Sequence, residues 1–434
     1  MASMRGLGVF LRVFAGMGGL VTVAAVTACA GASSSSVPGV TSAATLVGAP
    51  VPVASAVVAG SAVAQHAPGT ARPPTTASRV PATSPSGALP AAGNPGGASV
   101  PAAGQAVDTS HPDHVIGRGT PASCTSAAVV AAVAAGGVIT FSCGPDPVTI
   151  TMAATATVAS TSHQVVLDGG GKVTLSGGGT TQILSMNAGW EQQWPQLVVQ
   201  NLAFTDAYSG TQQVSGSSVY GGGAIFDEGG QLKVVNSTFL GNSCYASGPD
   251  LGGGAIRAVG MYLASPVYIT DDTFSGNSCS NGGALSGLYA NFDVINSLLT
   301  GNKAIGWGAN PAAAGTPGGG SGGAIYTDGN QYNLDVTGTV MRDNTAREGG
   351  GGIFFVVNAG GGTLQIESST LQSNSSGAFQ NAPGIFDSVN GQDTQPVVVS
   401  SQVSLAPRVR PLCGAELSAP SLKTYISVDQ PGIG

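Results

Sequence analysis

The chain has 434 residues, only 8% of them charged, with 68 glycines and a formal net charge of −7. An ordinary globular domain is about 25% charged, and so few Lys and Arg exclude the electrostatic footprint of a nucleic-acid binder. The abundance of Gly, Ser, Thr and Asn suits a β-rich extracellular scaffold better than a cytosolic enzyme.

Arg5 and Arg12 accompany an apolar, small-residue stretch from Val13 to Ala28, the pattern of a targeting segment. It is too short and too glycine-rich to read as a transmembrane span. Val26-Thr27-Ala28-Cys29 resembles a bacterial lipobox, in which Cys29 would receive a lipid after cleavage. The alternative takes Ala28-Cys29-Ala30 as an A-x-A site, cleaved before Gly31 and left without lipid. Residues 1–29 are therefore expected to export the chain to the cell surface, lipid-anchored on the outer face of the membrane, or to secrete it. Export favours disulfides over metal ligation for Cys124, Cys143, Cys244, Cys279 and Cys413. No Cys-x-x-Cys pair marks a zinc site, and neither metal nor cofactor is expected. With an odd number beyond Cys29, Cys413 has no assigned partner.

Residues 30–120 read as a disordered linker rich in Ala, Ser, Pro and Gly, either a stalk or a passive leader. His111-Pro112-Asp113-His114 at its end reads as a solvated loop rather than a metal site. Folded structure is expected from Cys124, with a β-helix over 121–400 and an unassigned tail over 401–434. Ser126 is placed to cap a short helix, Ala127 to Ala135, ended by Gly136-Gly137. This helix would cover the open first coil, whose edge could otherwise pair with another chain. Cys124 and Cys143 flank the helix and the strand after it, and are expected to clamp them. Val165 to Leu175 reads as two strands bent about Gly169-Gly170-Gly171.

From about Leu197 to Asp387 a unit recurs that opens on Gly-Gly-Ala-Ile and closes on Phe-x-x-Asn. A period of this length means a solenoid. Val199, Val234, Ile269, Val294, Val336 and Ile366 form one apolar column, and Phe204, Phe239, Phe274, Leu299, Met341 and Leu371 another. Both must point inward. The neighbouring column, Val198, Lys233, Tyr268, Asp293, Asp335 and Gln365, is mostly polar and therefore outward. Asn242, Asn277, Asn302, Asn344 and Asn374 are expected to stack as a corner ladder. Asn201, Asn236, Asp271 and Asn296 are expected to form a second corner ladder. Such rows can also look like glycan-binding strips. Cys244 and Cys279 share one column, so in-register coils would hold their Cα atoms ~4.8 Å apart, within disulfide reach.

Insertions fall between each Asn corner and the next glycine step, often the binding side of a repeat protein. Tyr208, Tyr220, Tyr245 and Trp307 lie there, and Tyr268 stands in the outward column. These aromatics either stack on sugar rings or fold back over the coil edge.

The Gly-Gly-Ala-Ile and Phe-x-x-Asn units resemble the repeats of the chlamydial polymorphic outer-membrane proteins and, more broadly, bacterial right-handed parallel β-helix proteins. The resemblance covers about Thr125 to Asp387. It implies an all-β, pectate-lyase-like solenoid with a short N-terminal capping helix, working as an adhesin or surface protein. The segment from Gln392 onward is too short for the outer-membrane barrel of the chlamydial type. The expected function is a non-catalytic adhesin or glycan-binding scaffold. Its partners would be polysaccharide or a host or neighbouring cell surface, with the membrane reached through the lipid, no nucleic acid, and a monomeric state. The alternative is a polysaccharide lyase or glycoside hydrolase using Asp293, Asp335 and Lys233 of the outward column.

Overall fold

The structure, a computed structural model, describes residues 92–95, 97–210, 220–249, 251–308 and 318–405. All belong to the second of two units, Pro81–Gly434. The fold is all-β, its strands almost all parallel and gathered in sheets of seventeen, nine and four strands.

One coil shows how the repeat builds these sheets. Ile225–Glu228 joins the nine-stranded sheet, then Gln231–Val235 and Thr238–Leu240 join the long sheet. The next coil lays Ile256–Val259, Val267–Thr270 and Thr273–Ser275 beside them, parallel and in register. Between the two long-sheet strands the backbone must turn sharply, and the residue there is left-handed in coil after coil. Asn201, Asn236, Asp271 and Asn296 have φ between 47° and 55°, and Gly338, Ser368 and Ser400 continue the column at 61°, 48° and 46°. Asn and Asp are among the few non-glycine residues that accept this conformation cheaply.

The inward columns stack residue on residue. Phe204, Phe239 and Phe274 pair in register, their rings parallel at 4.8 and 4.7 Å. Each buried phenyl contributes ~1.5–3 kcal/mol through area removed from water, and the ring pairs add to it. Val199, Val234, Ile269, Val294, Val336 and Ile366 line the same core, fully buried.

At the next corner Asn242, Asn277, Asn302, Asn344 and Asn374 form a continuous buried ladder. Each Nδ2 donates to the Oδ1 of the following asparagine, at 2.8–3.0 Å along the row. Its second hydrogen goes to the carbonyl of the preceding coil's Phe position, as from Asn302 to Phe274 at 3.0 Å. The Oδ1 atoms also accept the backbone N–H of the asparagine one coil back. In the expected second ladder Asn236 donates to Asn201 at 2.7 Å, while the Asn296 amide donates to the Ala98 carbonyl. A further ladder, not read from the sequence, runs just after this left-handed corner. Ser237, Asp272, Ser297, Thr339, Ser369 and Ser401 each accept the backbone N–H of the residue one coil before, beginning with Leu202.

Both expected cystine pairs are bonded. Cys124–Cys143 closes a separation of 19 residues, and Cys244–Cys279 joins adjacent coils with Cα atoms 4.7 Å apart. Helix α1, Ser126–Ala135, starts one residue earlier than expected. Thr125, not Ser126, caps it by accepting the Ala128 N–H, while Ser126 Oγ accepts the Ala153 N–H instead. Gln164–Ser176 is one strand with a register shift between Asp168 and Val173, rather than two.

The largest correction concerns the linker. Residues 97–113, expected to be disordered, lie along the outer face of the long sheet, and His114–Ile116 is its first strand. Gln200 holds Val107 by both backbone N–H and carbonyl, at 2.9 and 3.0 Å, and Asn296 holds Ala98 likewise, at 3.0 and 2.9 Å. Thr109 donates to Asp168, and Val138 N–H to Asp113. A composition without large apolar residues did not prevent docking, because the sheet supplies hydrogen bonds to the strap's backbone.

The ladder makes its own test. Asn302→Ala removes a fully buried amide and leaves donors on Asn277 and acceptors on Phe274 and Asn344 unmet. Chemical denaturation is expected to show a loss of about 3 kcal/mol, against less than about 0.5 kcal/mol for Gln372→Ala on the exposed side of the same coil. Equal effects from the two substitutions would show that the ladder contributes nothing special.

Candidate functional site

The outward column is in register as Lys233, Tyr268, Asp293, Asp335 and Gln365. The strap divides it. Lys233 is only 7% exposed and its Nζ donates to the Gln105 carbonyl at 2.8 Å. Burial also holds its ammonium below the usual lysine range. Gly104 lies against the Tyr268 ring, so that Tyr268 packs under the strap rather than facing a ligand. Asp293 and Asp335 remain, half-buried on neighbouring strands. Burial first, and Asp335 second, push Asp293 up to about 6; burial raises Asp335 as well. A lyase needs a base beside its carboxylates, and Lys233 is two coils away and committed to a carbonyl. The column thus fails to assemble the three residues as an acid–base site.

Two further carboxylates are sealed inside. Asp227 is fully buried among the core-facing residues, with neither oxygen hydrogen-bonded, and Asp272 leaves one oxygen unbonded. Burial raises both well above the ordinary range. Carboxyls enclosed in this way reach no substrate.

The insertion loops hold Tyr208, Tyr220 and Tyr245, all half-buried, and Trp307, 43% exposed. The Arg347 guanidinium lies 5.5 Å from the Trp307 ring, and Glu348 accepts the Gly308 N–H. On the outer face of the nine-stranded sheet Tyr326, Phe354 and Phe386 stack at 4.9 and 5.2 Å. Rings stacked on one another along the coil axis turn their edges outward. Sugar stacking requires faces, so this row serves the sheet. A cleft of about 450 Å³ beside the bend at Gly169–Gly170 contains Asp146 and Lys172. There too the ammonium is engaged, donating to the Pro145 carbonyl at 2.9 Å.

Exposed indoles stand at another place, the corner where Leu184–Asn187 passes to Gln196–Thr205. Asn187 Oδ1 accepts the Gly189 N–H and turns the chain out. The loop then lies flat over the following coils. Glu191 N–H donates to the Gly260 carbonyl at 2.6 Å, Gly230 N–H to Gln192, and Gln231 N–H to Pro195. Gly260 is essential to this course, because a Cβ there would stand 2.5 Å from the Trp190 ring. Trp190 therefore rests one face on Gly260 and meets Tyr289 edge-on at 5.0 Å, with 42% of its surface exposed. Trp194 packs on His163 at 3.8 Å and is 39% exposed. One indole leans toward later coils and the other toward the coil before, so the pair spreads along the solenoid axis. Amides surround them: Gln164, Gln196 and Gln231 form a row in register, Gln164 donating to Gln196 at 2.7 Å and Gln231 to the Gln193 carbonyl at 3.0 Å.

Neither tryptophan was singled out from the sequence, because the loop occurs once and has no counterpart among the repeats. The available signal was frequency: the chain has three tryptophans, and two of them lie four positions apart. Cys29 and Cys413 lie outside the described residues. Among the described residues no helix is long and apolar enough to cross a membrane, and no three His, Cys, Asp or Glu side chains group to hold a metal.

A carboxyl whose pKa is raised on folding binds its proton more tightly in the folded state. Stability contributed by Asp293 is thus present below pH ~4 and lost as pH rises through about 6. Asp293→Asn is expected to be neutral at pH 4 and stabilising at pH 8, and Asp335→Asn to bring the Asp293 titration, followed by carboxyl NMR, down toward the ordinary range. An Asp293 that titrates near 4 in the intact chain would contradict this.

No family model, curated protein or solved structure matches the chain.

Proposed function

We propose that this is an exported surface protein, a right-handed parallel β-helix of the pectate-lyase type, that binds neutral glycan without cleaving it. Right-handed winding is supported by the strong bias of parallel crossover connections toward that hand. Helix α1 packs on Ala156–Val158 and His114–Ile116, beside the first coil, where a cap would lie. A lipid on Cys29 would hold the protein at the membrane, in keeping with the likeness of its repeats to those of surface adhesins.

The observation that carries the glycan reading is the pair Trp190 and Trp194, each packed against a neighbouring ring and still 42% and 39% exposed. Flat apolar faces take the C–H faces of sugar rings, and adjacent amides both donate to and accept from hydroxyls. The charges nearest the loop, Glu191 and Glu228, are acidic, which favours a neutral chain over an anionic one. Against catalysis stands the engagement of Lys233 and Lys172 with backbone carbonyls.

Retention on a panel of immobilised neutral and acidic polysaccharides, with tryptophan fluorescence as a second readout, tests this. A neutral polymer is expected to bind, and Trp190→Ala or Trp194→Ala to weaken it by about tenfold each, the equivalent of ~1.4 kcal/mol per ring contact. Chain cleavage, or release of unsaturated product abolished by Asp293→Ala, would replace this reading with that of a lyase or hydrolase.

A further inference from the structure

The strap is bound in a manner unlike the packing of a domain against itself. Between Gly93 and Val107 the sheet holds it mainly by its backbone. Gln200 takes both the N–H and the carbonyl of Val107, and Asn296 takes both of Ala98. Lys233 takes the Gln105 carbonyl, and Thr273 Oγ1 accepts the Gly93 N–H at 2.8 Å. Asn94 N–H donates to the Asn296 carbonyl, and its side-chain amide to that of Gly338. Most of the strap's own side chains, including Ser99, Pro101, Ala102, Ala103, Gln105 and Ala106, are exposed.

Where the strap touches closely, it is small. A Cβ on Gly104 would stand 3.0 Å from the Tyr268 ring, and one on Gly93 2.7 Å from the Asp271 backbone, where φ is also +83°. Ala98 meets the sheet at Gly338, itself a position without side chain. The two close approaches carry nearly the same sequence. Pro90-Ala91-Ala92-Gly93-Asn94 and Pro101-Ala102-Ala103-Gly104-Gln105 repeat eleven residues apart. In the second, a turn in which Gly104 N–H bonds the Pro101 carbonyl at 2.8 Å presses Gly104 onto the sheet.

Amide side chains that grip successive peptide groups, over floors that admit only glycine or alanine, are the chemistry of an extended-peptide groove. We propose that the outer face of the long sheet, from Asp168 to Asn296, is a peptide-binding groove for segments of the Pro-Ala-Ala-Gly-Asn/Gln type. Its own residues 93–95 and 97–109 fill it in cis, and the same segment of a second copy fills it in trans. The reach for such an exchange is present. The strap joins the first strand through Ser110 and His111, which are exposed, so the segment can leave without disturbing a coil. Copies crowded on one surface would then be linked by exchanged straps. None of the tryptophan corner's residues takes part.

The test uses the full chain with a protease site inserted between Ser110 and His111. A fluorescent synthetic peptide of residues 92–110 stands for the second copy's segment. In the intact chain the tethered strap competes at an effective concentration of ~mM, so little peptide should bind. After cleavage the peptide is expected to bind saturably and displace the severed segment. Gln200→Ala with Asn296→Ala should weaken it by at least tenfold, as should Gly93→Val with Gly104→Val in the peptide. Circular dichroism follows the fold throughout. A cleaved chain that stays folded but takes up no more of this peptide than of its valine variant overturns the proposal. So does a chain that unfolds on losing the strap, since the segment is then part of the core and not a ligand of it.

Discussion

Parallel coils in register set every residue ~4.8 Å from its counterpart in the next coil, so a buried polar group must find its partner in a copy of itself. Asparagine meets that condition, because its amide donates with one end and accepts with the other, and from Asn242 to Asn344 every rung donates to the next. Serine and threonine meet it by accepting a backbone N–H while donating to a carbonyl, as Ser297 and Ser369 do. Carboxylates do not. Asp272, alone in the serine row, keeps an unbonded oxygen, and Asp335, stacked on Asp293, adds to the burial that raises the Asp293 pKa. The shortage of charge across the chain is the same constraint written in composition.

A scaffold of equivalent coils offers no single place for chemistry, and individuality comes from departures from the repeat. The tryptophan loop is one, laid across coils that end in glycine. The strap is another, crossing the sheet at right angles to its strands and converting an outward row into a covered one. The acid pair shares its two coils with Asn296 and Gly338, where the strap is also held.

Much of the fold could be read from spacing. The columns through Val234 and Phe239 gave the register that the strands adopt, and the shared column of Cys244 and Cys279 gave their bond. Repetition was the signal, since each column is sampled five or six times along the array. What occurs once was not legible. Trp190 and Trp194 belong to no column. The strap has no apolar periodicity, and what fixes it is Gln200 and Asn296, whose role appears only when the sheet places them side by side with a backbone. Asp168 is of the same kind. Burial alone would raise its pKa, yet hydrogen bonds from Asn201, Gln200, Gly170 and Thr109 outweigh this and keep it low, anchoring the strap's end. Its sequence setting, before three glycines, suggested only a turn.

The course of the strap also decides how the protein would bear a pull. It meets the sheet beside Asp271 and Asn296 and then runs back, coil by coil, to Val138. Tension applied at residue 92 would therefore break the contacts at Asn296, Lys233, Gln200 and Asp168 one after another, a zipper rather than a shear joint. Slack would be released stepwise while the coils stay whole. Once the strap is spent, load entering at His114 would cross from Cys124 to Cys143 through the covalent bond, bypassing α1 and the strand after it. The strap yields gradually, and behind it the solenoid meets force through a staple.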